Sequence, residues 1–368
     1  MSTDDPRPDE MSTEAILRAA SKVLGVELSD PADLGGSLRS TVLRCRTAEG
    51  GSVIVKAYGA EPEALRGFTA EAAGLSLRLA GPELLGVDDS VPLLVMTDLG
   101  NAPTLADVLL GHDPEAATEG LLTWARGLGR LAAESVHRRA DLARLWTTYS
   151  GGTPSREEAP WLERNMADLL GLLSGAGIEA PPGLAGDLAR IGAISEDDYP
   201  AFTPGDTCPD NNLLTPDGLR LLDFESACYQ SVFLTAAYCR MPFATCWCVF
   251  DLPAGLAAEI ERAYRAEVAV VYPALADDAV WQAGVRRAIA AWTVNMTVWI
   301  LPRTVEDGPA HRTRRPVPTR RQLMRHRWAM ASTLEEFPAF AETMRLMLRE
   351  VAGTWDAPPL PGYPAFGG

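Results

Sequence analysis

The chain has 368 residues, 47% of them hydrophobic and 22% charged, with a formal net charge of -16. That supports a large core in two or three lobes and excludes a solvated, disordered chain. The acidity excludes a basic nucleic-acid or anionic-membrane binder; it would suit a cationic substrate, but is more commonly a solubility device.

The acidic start, MSTDDPRPDEMS, lacks an apolar run, so residues 1–11 read as a disordered tail rather than a signal peptide. Ser12 or Thr13 caps a helix to about Leu24, and Leu34-Gly35-Gly36-Ser37 then breaks the pattern. Thr41 to Thr47 and Ser52 to Tyr58 read as strands, joined by Glu49-Gly50-Gly51 as a hairpin. From Glu61 to Leu79, apolar Leu65, Phe68, Ala72, Leu75 and Leu79 recur at helical steps. Val91 to Met96 reads as a strand that runs into a hinge, Thr97-Asp98-Leu99-Gly100-Asn101.

Beyond the hinge the pattern is mainly helical, over about 115–138, 159–175, 254–271, 279–300 and 319–350. In the fourth of these, Trp281, Val285, Ile289, Trp292, Met296 and Trp299 form a stripe read as core. Leu213-Leu214 and Leu219 to Leu222 flank Thr215-Pro216-Asp217-Gly218, a hairpin signal. Trp355 to Gly368, rich in Pro and Gly, reads as irregular. The longest apolar stretch, Ala288 to Leu301, is interrupted by Asn295 and threonines and falls short of the roughly 20 residues that span a bilayer. The six cysteines show no paired metal spacing and read as buried thiols of a reducing, cytoplasmic compartment.

The expected organisation is therefore α+β: a small β-rich lobe over 12–100, then a large, mainly helical lobe over 101–353, with an irregular tail at 354–368. A nucleotide fits the cleft between such lobes.

The segment Thr203 to Ala227, TPGDTCPDNNLLTPDGLRLLDFESA, carries the chemistry. Asp206 is followed five residues on by Asn211, then by the hairpin, then by Asp223. Phosphoryl transfer needs such groups, because its catalysis is mostly positioning and charge neutralisation. One aspartate orients an attacking hydroxyl and takes its proton, while a carboxylate and an amide oxygen hold Mg²⁺. The hairpin lets Asn211 and Asp223 converge.

Gly205-Asp206, Pro209 and Asn211 resemble the catalytic loop of the aminoglycoside phosphotransferase and choline kinase-like family, and Leu222-Asp223-Phe224-Glu225 resembles its metal-binding segment. The resemblance extends, more weakly, over residues 34–230. It implies a two-lobed protein-kinase-like fold, ATP and Mg²⁺ as cofactors, Asp206 as catalytic base, and Asn211 and Asp223 as metal ligands. It puts Lys56 in the position of the phosphate-binding lysine, with Glu71 as its partner, and Gly35, Gly36 and Ser37 over the phosphates. The backbone of Met96, Thr97, Asp98 and Leu99 would hold adenine. The residues agree: Lys56 is one of only two lysines, the other being Lys22, and strand alternation puts it with Ile54 on one face, opposite Val53 and Val55. Glu71 lies on the apolar side of its helix, where a carboxylate needs a partner.

Singly, each residue has a blander reading: a solvated strand lysine, a helix-face charge, a capped turn. Their common order makes the kinase reading the stronger one. The partner expected is a small-molecule hydroxyl acceptor (an antibiotic, amino alcohol or sugar), lying against the helical lobe near Glu225.

Three positions depart from the family pattern: Pro204 replaces a bracing histidine, Cys208 a second histidine, and Asp210 a glycine. Proline fixes φ and donates no N–H, so the loop must be braced another way. The alternative of a nucleotide-binding pseudokinase with a regulatory or scaffold role rests on Pro204. A protein kinase fits less well, with Asp-Phe-Glu in place of Asp-Phe-Gly and no Ala-Pro-Glu. A Ser–His–Asp hydrolase has no motif, because His112, His137, His311 and His326 are all remote from the loop in sequence. Glu196-Asp197-Asp198 reads as a solvated loop. The arginine tract Arg312, Arg314, Arg315, Arg320, Arg321, Arg325 and Arg327 reads as a balance for acidic residues elsewhere.

Overall fold

The computed structural model describes residues 11–37, 39–155, 161–243, 245–311 and 314–368. Residues 1–10 of the tail expected over 1–11, Arg312 and the first residues of the helix expected from 159 lie outside them.

The first lobe is a five-stranded antiparallel sheet in the order β1-β2-β3-β5-β4. Its strands are β1 (Leu28–Ser37), β2 (Ser40–Thr47), β3 (Ser52–Tyr58), β4 (Leu84–Asp88) and β5 (Leu93–Thr97). Helix α1 (Thr13–Leu24), capped by Ser12, covers one face and α2 (Pro62–Ser76) the other. The period of β3 explains this two-sided burial. Val53, Val55 and Ala57 pack with Ile16, Ala20 and Leu43 on the α1 side, whereas Tyr58 joins the core shared with α2 and the helical lobe.

Strands β1 and β4 lack an expected pattern. All of β1 except Leu28 is exposed, and shifts in register interrupt its pairing with β2, so no alternation marks it. Helix α2 ends at Ser76, earlier than the apolar stripe suggests, because Arg78 takes a left-handed turn (φ 54°) towards β4.

The second lobe begins with α3 (Leu105–Leu109), α4 (Pro114–Ser135), α5 (Arg139–Tyr149), α6 (Trp161–Gly175) and α7 (Leu184–Gly192). Strand β6 (Pro200–Thr203) enters the catalytic segment, the hairpin β7 (Asn212–Thr215) and β8 (Gly218–Leu221) follows, and β9 (Cys228–Ser231) returns to pair with β6. The pairs β6–β9 and β7–β8 therefore fix both ends of the segment that carries Asp206 and Asp223. Helices α8 (Val232–Arg240), α9 (Leu256–Val271), α10 (Asp278–Ile300), α11 (Arg320–Ala331) and α12 (Pro338–Val351) complete the lobe.

The helix expected over 115–138 is α4, which closes at Ser135, and α5 follows it as a further helix. The one expected over 319–350 is divided before Pro338, which supplies the first turn of α12. The stripe on α10 is core from Trp281 to Met296, but Trp299 is 62% exposed where the helix runs out past its neighbours. The terminal stretch is irregular apart from a short turn, yet it is docked: Tyr363 is fully buried and donates its hydroxyl to the Cys248 carbonyl.

Within the arginine tract, two residues hold backbone. Arg321 donates to the carbonyls of Thr304 and Val305, and Arg325 to that of Ala357. Asp197 is also structural, accepting from the Tyr199 backbone and the Ser231 hydroxyl. Cys208 and Cys246 form a disulfide with Cα atoms 5.4 Å apart, which corrects the expectation of six buried thiols; Cys45, Cys228, Cys239 and Cys248 are buried outside that bridge.

Candidate active site

The site is assembled where the sheet lobe meets the catalytic segment. Lys56 lies on the face of β3 turned away from α1 and is 6% exposed. Its ammonium donates to Glu71 Oε2 at 2.6 Å and to Asp223 Oδ1 at 3.1 Å, and lies 4.0 Å from Glu225 Oε2. Glu71 is fully buried on α2, where the Tyr58 hydroxyl donates to the same oxygen. The Tyr58 ring lies 5.3 Å from the ammonium. Burial would lower the pKa of Lys56, but Glu71, Tyr58, Asp223 and Glu225 hold it well above its ordinary value. It stays a cation in a nearly dry place.

The loop that carries Asp206 leaves β6 through Gly205 at φ 86°, where an added Cβ would sit 2.3 Å from the Ser226 carbonyl oxygen. Only glycine permits this approach, which holds the loop against the turn that carries Asp223. Asp206 accepts the Cys208 N–H at 2.9 Å. Burial, and then the charge of Asp223, push the Asp206 carboxyl up to about 7. A group so poised can exchange a proton near neutral pH.

Asn211 ends a short turn, Pro209–Asn211, and its carbonyl accepts the Leu222 N–H at 2.9 Å. That bond brings Asn211 to the residue preceding Asp223, as the hairpin spacing suggests. The bonds made to Asp223 from Lys56 and from the Glu225 N–H both land on Oδ1. A carboxylate oxygen and an amide oxygen on adjoining backbone are the hard donors that suit Mg²⁺.

Several participants lie outside the expected set. Asn212, fully buried, donates to the carbonyls of Thr207 (3.2 Å) and Cys208, so it braces the catalytic loop from within. The disulfide adds a covalent tie to the segment after α8, and from that segment the Trp247 indole donates to Asp210 at 3.1 Å. His311, remote in sequence, packs against Trp247 with ring centres 5.4 Å apart, so a histidine does approach the loop through the fold. Tyr58 had a sequence signal, since it shares the face of β3 with Lys56. Asn212 and His311 had none, because their positions depend on how the loops close.

Gly35, Gly36 and Ser37 form the end of β1 and lead into a tight turn rather than a separate loop. Gly36 has φ 142°, and a Cβ there would meet the Ser40 carbonyl oxygen at 2.2 Å. Glu225 is engaged by Arg39 of this turn, at 2.5 Å. In the hinge, Met96 is buried opposite Ile54 on β3, followed by Thr97 and Leu99. The Asp98 carboxylate is occupied by the Ser52 hydroxyl, Arg44 and the Gly100 N–H, so it fastens the hinge to β2 and β3. Two surface hollows of about 440 and 460 Å³ lie at Leu75–Tyr149 and around Leu17–Leu28, and neither includes a residue of the cleft.

No family model matches the chain, and no curated protein does. Solved structures do. The macrolide 2'-phosphotransferase of Brachybacterium faecium aligns over 79% of this chain and 93% of its own, with TM-score 0.50 and 17% identity. APH(2'')-IIa, in a ternary complex with streptomycin and ATP, aligns over 79% and 94%, with TM-score 0.51 and 13% identity. An ethanolamine kinase of Plasmodium vivax aligns over 86% and 83%, with TM-score 0.50 and 12% identity.

The chain has the fold of the small-molecule kinases. In that kinase-like fold, Lys56 and Glu71 belong to the sheet lobe, and Asp206, Asn211 and Asp223 to the helical lobe. The Arg39–Glu225 pair spans the cleft between them.

Proposed function

We propose that the chain is an ATP- and Mg²⁺-dependent phosphotransferase that moves the γ-phosphate to a hydroxyl of a small molecule. One observation carries this reading: a buried lysine held between Glu71 and Asp223, at 2.6 and 3.1 Å, across the lobes of a kinase-like fold. A surface lysine has no reason to be dried and clamped in this way, whereas a lysine that neutralises transferring phosphate does.

Glu71 and Tyr58 orient the ammonium. Asp223 and Asn211 would hold Mg²⁺, which when bound offsets the charge of the phosphates. Gly35 to Ser37 would lie over the phosphates, and the hinge backbone from Met96 to Leu99 would meet the adenine. Asp206 aligns the acceptor hydroxyl and receives its proton, a task suited to a carboxyl raised to about 7. The replacement of the usual histidine by Pro204 does not argue against activity, because Asn212 and the Cys208–Cys246 bridge supply bracing in its place.

The test is nucleotide consumption across a panel of small hydroxyl compounds that includes aminoglycosides, macrolides, sugars, choline and ethanolamine. At least one acceptor should raise ATP turnover in the wild type and leave Asp206→Asn at background. Nucleotide binding with no Asp206-dependent turnover on any acceptor would turn the assignment to a pseudokinase.

A further inference from the structure

Arg39 lies in the turn between β1 and β2, two residues after Ser37 and one before Ser40. Its backbone is fixed on both sides: its N–H donates to the Ser37 hydroxyl oxygen at 3.1 Å, and its carbonyl accepts the Gly59 N–H at 2.9 Å. The side chain leaves this anchored turn and crosses the cleft to Glu225 Oε1 at 2.5 Å. The other oxygen of the same carboxylate lies 4.0 Å from the Lys56 ammonium. One carboxylate therefore sits between two cations of the sheet lobe, Arg39 at the mouth of the cleft and Lys56 at its base. An anion held between two converging cations occupies a place where phosphate oxygens could bind, and a guanidinium offers them a two-pronged donor.

The guanidinium end of the contact is the open one: the Arg39 side chain is 42% exposed and that of Glu225 12%, so Arg39 can turn to a phosphate from a partly solvated place.

We infer that Arg39 is a polyphosphate-binding residue that rests on Glu225 until nucleotide arrives. On binding, the guanidinium leaves Glu225 for the phosphate oxygens, which then lie between it and Lys56. Glu225 thus acts as a competitor built into the cleft rather than as part of the acceptor site. This rests on the nucleotide reading given above and adds to it the residue that senses the phosphates.

The experiment is equilibrium binding of adenosine, ADP and ATP, with Mg²⁺ and without acceptor, to the wild type, Arg39→Ala, Arg39→Lys, Glu225→Gln and the Arg39→Ala/Glu225→Gln double variant. Arg39→Ala should weaken ADP and ATP about tenfold or more while leaving adenosine unchanged, the size expected for lost charge-assisted hydrogen bonds. Arg39→Lys should recover part of that loss. Glu225→Gln should tighten ATP in the wild-type background and do so far less when Arg39 is absent, because the competition needs both partners. An unchanged ratio of ATP to adenosine affinity in Arg39→Ala, or an equal effect of Glu225→Gln in both backgrounds, would overturn the inference. A wild type that binds none of the three ligands would instead overturn the nucleotide reading itself.

Discussion

Asp206 shows how one side chain ties function to stability. Its carboxyl moves from an ordinary 3.8 to about 7 because burial and the nearby Asp223 both penalise the charged form. As the proposed base it must be unprotonated, so kcat/KM should fall about tenfold per pH unit below that value. The stability effect has the opposite sign. Between pH 4 and 7 the folded chain keeps a proton that the unfolded chain has released, so stability declines as pH rises through this window. The full penalty is present above it. Asp206→Asn removes the penalty while abolishing turnover. It should therefore unfold at higher denaturant than the wild type at pH 8, by roughly 1 to 3 kcal/mol, with the advantage shrinking towards pH 5. Equal denaturation midpoints at both pH values would show that Asp206 carries no raised pKa.

The loop that carries Asp206 is the element whose order the proposed chemistry needs, and it is held by parts of different kinds. Gly205 allows the close pass beside Ser226, Asn212 satisfies two loop carbonyls, and the disulfide ties Cys208 to Cys246. Replacing Asn212 by Leu keeps much of the volume and strands those carbonyls, at a cost of about 1 to 3 kcal/mol. The expected result is a lower kcat with nucleotide affinity nearly unchanged, and faster amide exchange confined to residues 205–212. Exchange that speeds up across the whole helical lobe would instead mark Asn212 as a general core residue. Asn211, its neighbour, was legible in the sequence because spacing from Asp206 and Asp223 singles it out. Asn212 was not, because its value lies in carbonyls that only the folded loop turns towards it.

The same physics divides the legible elements from the rest. Strand β3 shows its period because its two faces meet different neighbours, and helix α2 shows an apolar stripe because small or polar residues separate its large apolar ones, although it is buried throughout from Gly67 to Leu75. Helix α8 is buried from Val232 to Cys239, so it shows no stripe, and β1 is exposed, so it shows no alternation. The break before α12 was hidden because apolar residues continue at helical steps on both sides of Pro338.

At the scale of the whole molecule, the cleft is an acidic gap between the lobes of an acidic protein. Glu71, Asp206, Asp210, Asp223 and Glu225 line or approach it, while Lys56 and Arg39 supply the cations named there. A bare triphosphate meets net repulsion in such a gap, because unlike the carboxylates it has no counter-charge of its own. Mg²⁺ held by Asp223 and Asn211, as proposed, would offset that repulsion. Nucleotide should therefore stabilise the fold only together with the metal. At about a hundredfold over its dissociation constant, a ligand adds about 2.7 kcal/mol, which for a chain of this size raises the melting temperature by a few degrees. That rise is expected with ATP and Mg²⁺, absent with ATP and EDTA, and largely lost in Asp223→Asn. Because Asp223 also pairs with Lys56, the variant is to be compared first without ligand, where its own melting temperature sets the baseline. An equal rise with ATP in EDTA would mean that Lys56 and Arg39 alone offset the phosphates, and that Asp223 serves to position Lys56 rather than to hold a metal.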